Sequence, residues 1–239
     1  SWIGNYQKKI TRLITVVKRP IPLKYYLQKF DEKKLIMDDK FIDNSFTLIN
    51  ESDKLKFKNK IHKITKYKNI FWINHSIKQL ELEEKLPSIF FVLSKKQINS
   101  YVNEITGDFL SFEEICQVKQ IWKDNLFKFK KDYSHSKEYE ELYNLVIRGI
   151  AYHHSGIIPI LKEIVEILYS KKLIKVLLAT ETFAVGVNMP TKTVVFTGLH
   201  KFDNYGRRFL RTEEFLQMAG RAGRRGLDTF GEVIILPIN

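Results

Sequence analysis

The segment at residues 217–226, QMAGRAGRRG, concentrates side chains that can act on a phosphate. It carries Gln217 followed by Arg221, Arg224 and Arg225, with glycines between the arginines. Arginine keeps its charge and presents a planar fork of donors that matches phosphate oxygens. The pattern predicts arginine fingers, which neutralise charge that builds up on a transferring phosphoryl group. A solvated basic helix end is the alternative interpretation, because charge runs usually lie on the surface.

The overall charge favours a polyanionic partner. The chain of 239 residues has 40 Lys and Arg against 27 Asp and Glu, a formal net charge of +13, which favours nucleic acid or a phosphate-rich ligand. A lysine-rich segment at about 51–70 is either a solvated insertion or a phosphate-contacting surface. The adjacent Phe71 and Trp72 are either base-stacking or core residues.

The single cysteine and the hydropathy exclude several classes of protein. Cys116 alone cannot form a disulfide framework or a cysteine zinc site within the chain, which is typical of a reducing compartment. We predict that it is a small core residue. No apolar run of about eighteen residues occurs, so neither a membrane span nor a membrane partner is predicted. No signal peptide is visible and the first residue is Ser1, so we expect a piece of a longer intracellular protein. Its location is expected to be the nucleus or cytoplasm, or the host cytoplasm if the source is viral.

Alternating apolar strands and helices predict the fold. Short apolar runs predict buried strands at 89–93, 150–152, 174–179, 193–197 and 232–236. Further strands are predicted at 10–17 and within 24–42. Helices are predicted after Lys96, within about 108–147, at 159–170 and at 213–218. This alternation predicts an α/β fold, a parallel sheet with helices on both faces.

Polar clusters follow three of the predicted strands, at 94–96, 153–156 and 180–182. Ligands of such sheets bind beyond the carboxyl ends of the strands. We therefore expect the ligand-contacting residues to lie at this edge. The adjacent His153 and His154 point to opposite faces of an extended chain and have no Cys or acidic partner at ligand spacing, so no metal site is predicted.

Several segments, taken together, resemble superfamily 2 helicases. LATETFAVGVNMP at 178–190 and the arginine segment resemble motifs V and VI. Their sequences are most similar to those of the superkiller and exosome-associated DExH RNA helicases. PSIFFVLSKKQ at 87–97 resembles motif IV, and residues 148–183 are similar to that family almost without interruption.

The resemblance extends to the amino-terminal part of the chain and implies a division into domains. WIG at 2–4 resembles the end of the first RecA-like domain, and KRPIPLKYYL at 18–27 the entry into the second. Residues 1–27 are then the end of the first domain and a linker. Residues 28–239 are the second RecA-like domain, with a lysine-rich insertion at about 51–70 and a helical insertion at about 108–147.

The resemblance implies roles around ATP. Gln217 matches the position that orients the attacking water, and Arg221 and Arg224 match the two fingers that reach the γ-phosphate. Gly186 and Asn188 match positions near the ribose and the motif VI arginines. Asn188 replaces the aspartate that is common in the wider superfamily, so it can hydrogen-bond a ribose but brings no charge.

The resemblance also implies contacts with RNA. Thr180 matches a residue that contacts the nucleic-acid backbone, although a strand-end cap is the open alternative. Ser155 and the Gly156 amide are expected to contact a phosphate. Lys95 is expected to touch the same strand unless it belongs to a solvated face. Glu181 is expected in a network that links the ATP and RNA sites.

Two motifs that ATP hydrolysis needs are not found in the chain. It has neither a GxxxxGK[ST] phosphate loop nor a DExH box. The resemblance implies that a first RecA-like domain holds ATP and Mg²⁺. We therefore expect that this polypeptide alone does not hydrolyse ATP.

The leading hypothesis is the second motor domain of an ATP-dependent RNA helicase that grips single-stranded RNA, with an RNA-processing complex as an expected partner. One alternative is a DNA helicase of the same superfamily, although the KRPIPL segment favours the RNA-processing branch. The other alternative is a non-motor RNA-binding scaffold derived from a helicase. A module without ATP has no need of Gln217, Arg221 and Arg224 together, which argues against the scaffold.

Overall fold

A computed structural model of the chain describes residues 21–28, 33–38, 69–126, 136–186, 189, 191–203 and 205–236. The strand predicted at 10–17, the lysines at 51–68 and Asn188 lie outside these residues.

Strands of the described residues form a seven-stranded sheet and a separate hairpin. Their bounds are β1 (Leu23–Gln28), β2 (Lys33–Asp38), β3 (Ser88–Phe91), β4 (Ile150–His153), β5 (Val176–Ala179), β6 (Thr193–Phe196), β7 (His200–Asp203), β8 (Gly206–Phe209) and β9 (Gly231–Ile235). The sheet has the order β2-β1-β9-β6-β3-β5-β4. Its neighbouring strands are parallel, except for the antiparallel pair of β1 and β2. The hairpin consists of β7 and β8.

Helices connect the parallel strands. Their bounds are α1 (Asn69–Leu82), α2 (Lys95–Val102), α3 (Phe112–Leu126), α4 (Lys137–Val146), α5 (Pro159–Ser170), α6 (Glu181–Gly186) and α7 (Thr212–Ala219). The α/β, RecA-like fold predicted from the sequence is confirmed.

Apolar side chains explain why the central strands form. Every residue of β3, β4, β5, β6 and β9 is buried, as a parallel sheet covered on both faces requires. The connecting helices bury apolar side chains on one face. On α5 this face is formed by Leu161, Ile164, Val165, Leu168 and Tyr169.

The structure decides whether Trp72 and Cys116 are buried, which the sequence pattern around each residue did not determine. Trp72 is only 1% exposed and lies in the core on α1. Cys116, in contrast, is exposed, so its prediction as a core residue is wrong. The buried side chains of α3 are Val118, Trp122 and Leu126. Cys116 precedes Val118 by two residues, about 200° around a helix, and therefore lies on the other face.

Two glycines allow the arginine segment to lie directly on the sheet. Gly223 has φ +88°, a left-handed conformation that favours glycine. A Cβ atom on Gly231, the first residue of β9, would lie 2.5 Å from the carbonyl carbon of Ala222 and 2.6 Å from the Gly223 nitrogen. Backbone therefore packs on backbone where residues 222–223 cross the start of β9.

We predict that Gly231→Ala destabilises the domain by about 2 kcal/mol or more, because the added methyl group collides with backbone that cannot rotate away. The measurement is urea unfolding followed by circular dichroism. Gly198→Ala is the matched control, because a Cβ atom there has no neighbour within 4 Å, and we expect a change within about 0.5 kcal/mol. Equal effects of the two substitutions would contradict the close contact.

Candidate functional site

The ends of the central strands bring three of the predicted clusters side by side. Phe91 and His153 both pair in register with Ala179. Beyond this register, the Val92 amide donates to the Ala179 carbonyl at 2.9 Å, and the Thr180 amide donates to the His153 carbonyl at 3.1 Å. The segments that follow β3, β4 and β5 therefore start at the same edge of the sheet, as parallel strands dictate.

Thr180 lies at this edge between strand and helix. It is 5% exposed, and its carbonyl accepts a hydrogen bond from the Phe183 amide at 3.1 Å. Its hydroxyl lies 2.9 Å from the hydroxyl of the exposed Thr182. This position is compatible with both interpretations of Thr180, a cap at the end of the strand and a contact with a nucleic-acid backbone.

His154 organises the loop after β4. Its Nδ1 accepts a hydrogen bond from the Gly156 amide at 3.1 Å, and its Nε2 lies 3.2 Å from Oδ1 of Asn99. An accepting Nδ1 and a donating Nε2 describe the neutral imidazole. Burial, with the positive charge of Lys95 and the neighbouring His153, lowers the pKa of His154.

Lys95 and Ser155 are exposed polar residues of this loop region. A Cβ atom on Gly156 would lie 3.9 Å from Cδ of Lys95, so the lysine side chain passes beside the glycine. The Ser155 hydroxyl has no hydrogen-bond partner among the described residues. An ammonium group and a free hydroxyl therefore face solvent at the strand-end edge, where both can contact a phosphate.

His153 faces the interior of the domain. It is 1% exposed, and its Nε2 lies 2.8 Å from Oε1 of Glu166 on α5. Burial lowers its pKa although Glu166 opposes the shift. Within the residues that the structure describes, no group of three or more His, Cys, Asp or Glu side chains could hold a metal ion.

Arg221 extends from the arginine segment to α6. Its Nη2 donates to the carbonyl oxygen of Ala184, and burial lowers its pKa. Its own carbonyl accepts from the Thr191 amide at 2.9 Å, while the Thr191 carbonyl accepts from the Gly223 amide at 2.7 Å. Backbone hydrogen bonds thus hold the segment on both sides of Ala222.

Arg224 is held by a carboxylate. Its Nε and Nη2 donate to the two oxygens of Asp228, each at 2.9 Å, and its amide donates to Oδ2 of Asp228 at 2.8 Å. This bidentate pair raises the pKa of Arg224 and lowers that of Asp228. Arg225 is exposed, and so is Gln217 on α7.

Comparisons of the sequence with known proteins place the chain in a family. Residues 111–226 match the sequence profile of the helicase conserved C-terminal domain. The antiviral helicase SKI2 of Saccharomyces cerevisiae is 44% identical over 164 residues, 68% of this chain and 13% of that protein. The exosome RNA helicase MTR4 of Homo sapiens is 36% identical over 248 residues, 99% of this chain and 24% of that protein. The DExH-box ATP-dependent RNA helicase DExH9 of Arabidopsis thaliana is 35% identical over 254 residues, 99% of this chain and 25% of that protein.

The chain belongs to the superkiller and exosome type of superfamily 2 RNA helicases, as their helicase C-terminal domain. It spans a quarter or less of the length of these three relatives. None of the helices in the described parts of the chain is both long and apolar enough to cross a membrane.

In this helicase domain, Glu181 takes part in a cluster of ion pairs. Lys201 of β7 lies between Glu181 and Glu214, with Nζ–O distances of 2.8 Å and 3.2 Å. Arg208 of β8 binds Glu214 and Asp203. Of the remaining predicted site residues, Gly186 ends α6, whereas Asn188 lies outside the described residues.

Sequence reasoning missed several residues of the helicase domain that fix the candidate ones. Asp228 could have been found, because it follows Arg224 by four residues, a spacing at which opposite charges pair. Asn99, Lys201 and Arg208 act across long separations in sequence, and no local pattern reveals their partners.

We predict that the domain loses stability as the pH falls below about 6.5, the ordinary histidine value. Because the pKa values of His153 and His154 are lowered on folding, the unfolded chain binds more protons in this range, and acid favours it. Thermal unfolding between pH 8 and pH 5 measures the effect. His154→Gln, which cannot be protonated, should reduce it. A nuclear magnetic resonance titration that places His154 at or above 6.5 would contradict the assignment.

Proposed function

We propose that the chain is the second motor domain of an ATP-dependent RNA helicase. The observation that carries the proposal is the hydrogen bond from Arg221 to the Ala184 carbonyl. It joins the arginine segment to the helix that directly follows Thr180. In this way a group suited to phosphoryl transfer and a group suited to a nucleic-acid backbone belong to one connected unit. Three relatives are named as helicases, and two of these names specify RNA.

In the proposed ATP site, a first RecA-like domain of the same protein holds ATP and Mg²⁺. Arg221 and Arg224 face the γ-phosphate across the cleft and offset the charge of the transition state. Asp228 fixes the plane of the Arg224 guanidinium, which leaves its Nη1 donors for phosphate oxygens. The exposed amide of Gln217 orients the attacking water without adding charge. Gly186 and Asn188 are proposed to lie near the ribose.

In the proposed RNA site, a single strand runs along the strand-end edge of the sheet. Lys95 and Ser155 supply a charge and a hydroxyl to phosphates, and Thr180 continues this row. Gly156 contributes mainly the space above His154, because its amide already donates to that side chain. Glu181 does not itself bind a phosphate in this scheme, since like charges repel. Instead, its carboxylate responds to the charge of a phosphate that is bound at Thr180.

ATP-driven closure of the two domains would then shift the grip on the strand. The full-length protein is proposed to act inside the cell, in the nucleus or the cytoplasm, as part of an RNA-processing complex. Unwinding of matched RNA and DNA duplexes by the full-length helicase tests the substrate. Preference for DNA would overturn the RNA assignment.

We predict that Arg221→Ala in the full-length helicase lowers the kcat of RNA-stimulated ATP hydrolysis on the order of 10³-fold, because one finger is removed from the transition state. Steady-state ATPase kinetics measure this effect, and RNA affinity should be retained. Arg225→Ala is the matched control, since this neighbouring arginine is exposed, and it should keep most of the turnover. Full turnover of the Arg221 variant would refute the finger role.

We also predict that Lys95→Ala weakens the binding of single-stranded RNA and lowers the slope of log K against log salt by about 0.7, the loss of one phosphate contact. Fluorescence anisotropy at several salt concentrations measures both quantities. Lys171→Ala is the control. Lys171 is exposed and precedes β5, so this substitution removes the same charge from the opposite edge of the sheet. Equal losses in both variants would mean that only net charge matters.

A further inference from the structure

The β7–β8 hairpin is attached to the domain by charged side chains more than by apolar packing. Its strands are only half-buried, and Phe202 and Tyr205 are 73% and 100% exposed. At its base, the Leu210 amide donates to the Leu199 carbonyl at 2.8 Å. The ion pairs that its strands make therefore help to position the hairpin against the domain.

Lys201 is the first of these attachments. Its ammonium lies 2.8 Å from Oε1 of Glu181 and 3.2 Å from Oε1 of Glu214, and its side chain is 17% exposed. Glu181 directly follows Thr180, whereas Glu214 lies on α7, three residues before Gln217. Partial burial opposes its charge, but hydrogen bonds to Glu181 and Glu214 raise the pKa of Lys201, so it stays charged near neutral pH.

Arg208 is the second attachment, and it lies opposite Lys201 in the hairpin register. Its Nη1 and Nη2 donate to the two oxygens of Glu214 at 2.8 Å and 2.9 Å, and its Nε donates to Asp203 at 2.6 Å. Two parallel N–H···O bonds fix direction as well as distance. The hydrogen bond from Arg208, with smaller contributions that include the Arg211 amide and Lys201, lowers the pKa of Glu214 to about 2.

The ion pairs form one continuous chain from α6 to α7. It runs from Glu181 through Lys201 to Glu214, and Arg208 fastens Glu214 from the other side. The arginine segment that follows α7 also touches α6, where Arg221 reaches the Ala184 carbonyl. Helix α6 is thus linked to α7 and to the arginine segment after it at two separate places, one of which passes through the hairpin.

We propose that Lys201 and Arg208 are positioning residues that couple RNA contact at Thr180 to the placement of Gln217. The proposal rests on the function proposed above. A phosphodiester that arrives at Thr180 brings a negative charge next to Glu181, which repels the Glu181 carboxylate and attracts the Lys201 ammonium. Because Lys201 also holds Glu214, its displacement moves the first turn of α7 and, with it, Gln217. RNA thereby adjusts the group that orients the attacking water.

The test uses the full-length helicase and the ratio of RNA-stimulated to basal ATP hydrolysis. We expect Lys201→Met and Arg208→Met each to lower this ratio about tenfold, within the range of allosteric coupling in proteins. The RNA concentration for half-maximal stimulation should change much less, because the proposal gives neither residue a contact with RNA. Lys201→Arg keeps the charge and should restore most of the ratio.

Arg207→Met is the matched control. This residue precedes Arg208 on β8, is exposed, and makes no ion pair within the described residues. The ratio should stay at the wild-type value. A loss as large as that of Arg208→Met would show a general effect of the hairpin and overturn the proposal.

A double-mutant cycle of Lys201→Met with Glu181→Gln provides a second measurement. Both single changes break the same link, so we expect the double variant to lose little more than either single variant. Multiplied losses would overturn the coupling through this pair. An unchanged ratio in folded Lys201→Met and Arg208→Met would contradict the coupling alone, whereas a wild-type enzyme that RNA does not stimulate would contradict the proposed function itself.

Discussion

The contact on which the candidate site depends is the crossing of two backbones at Gly231 and residues 222–223. No side chain fits between them, because a Cβ atom on Gly231 would lie 2.5 Å from the Ala222 carbonyl carbon. The hydrogen bonds of Thr191 to Arg221 and Gly223 secure the other side. Strand β9 lies inside the sheet, between β1 and β6. The guanidinium groups therefore project from a fixed backbone, and in the proposed ATP site only their side chains would need to move to meet a phosphate, an arrangement that favours catalysis by positioning.

Charge is handled in two different ways across the domain. Around the arginine segment and the hairpin, Arg224 is paired with Asp228 and Lys201 with Glu214, whereas Arg221 donates to the Ala184 carbonyl. A partly buried charge without such a partner would be costly. At the strand-end edge, in contrast, Lys95 and Ser155 are exposed. Paired charges are held in fixed positions at one place, whereas the exposed groups at the other place are available to the single strand that we propose to bind there.

The sequence was informative where burial or local chemistry dictates the pattern. Apolar runs at 89–93 and 174–179 predicted β3 and β5, because strands covered on both faces need no polar position. The arginine segment was recognisable because its residues lie close together in the chain.

The hairpin HKFDNYGRRF was not predicted, since its half-buried strands depend on partners such as Glu181 and Glu214 in distant segments. The acceptor of Arg221, the main-chain carbonyl of Ala184, could not be predicted, because any residue type supplies one. Cys116 was misplaced because residue type alone does not tell which face of a helix is covered.

The glycine crossing also involves the chain that leads into β1. The Gly231 amide donates to the Pro22 carbonyl at 2.9 Å, and a Cβ atom on Gly223 would lie 2.5 Å from Cγ2 of Ile21. The entering polypeptide and the arginine segment thus rest on the same few atoms. The direction from which the chain enters the domain and the aim of its guanidinium groups are, for this reason, not independent quantities. A force on the entering chain can therefore displace the guanidinium groups without any change in the sheet.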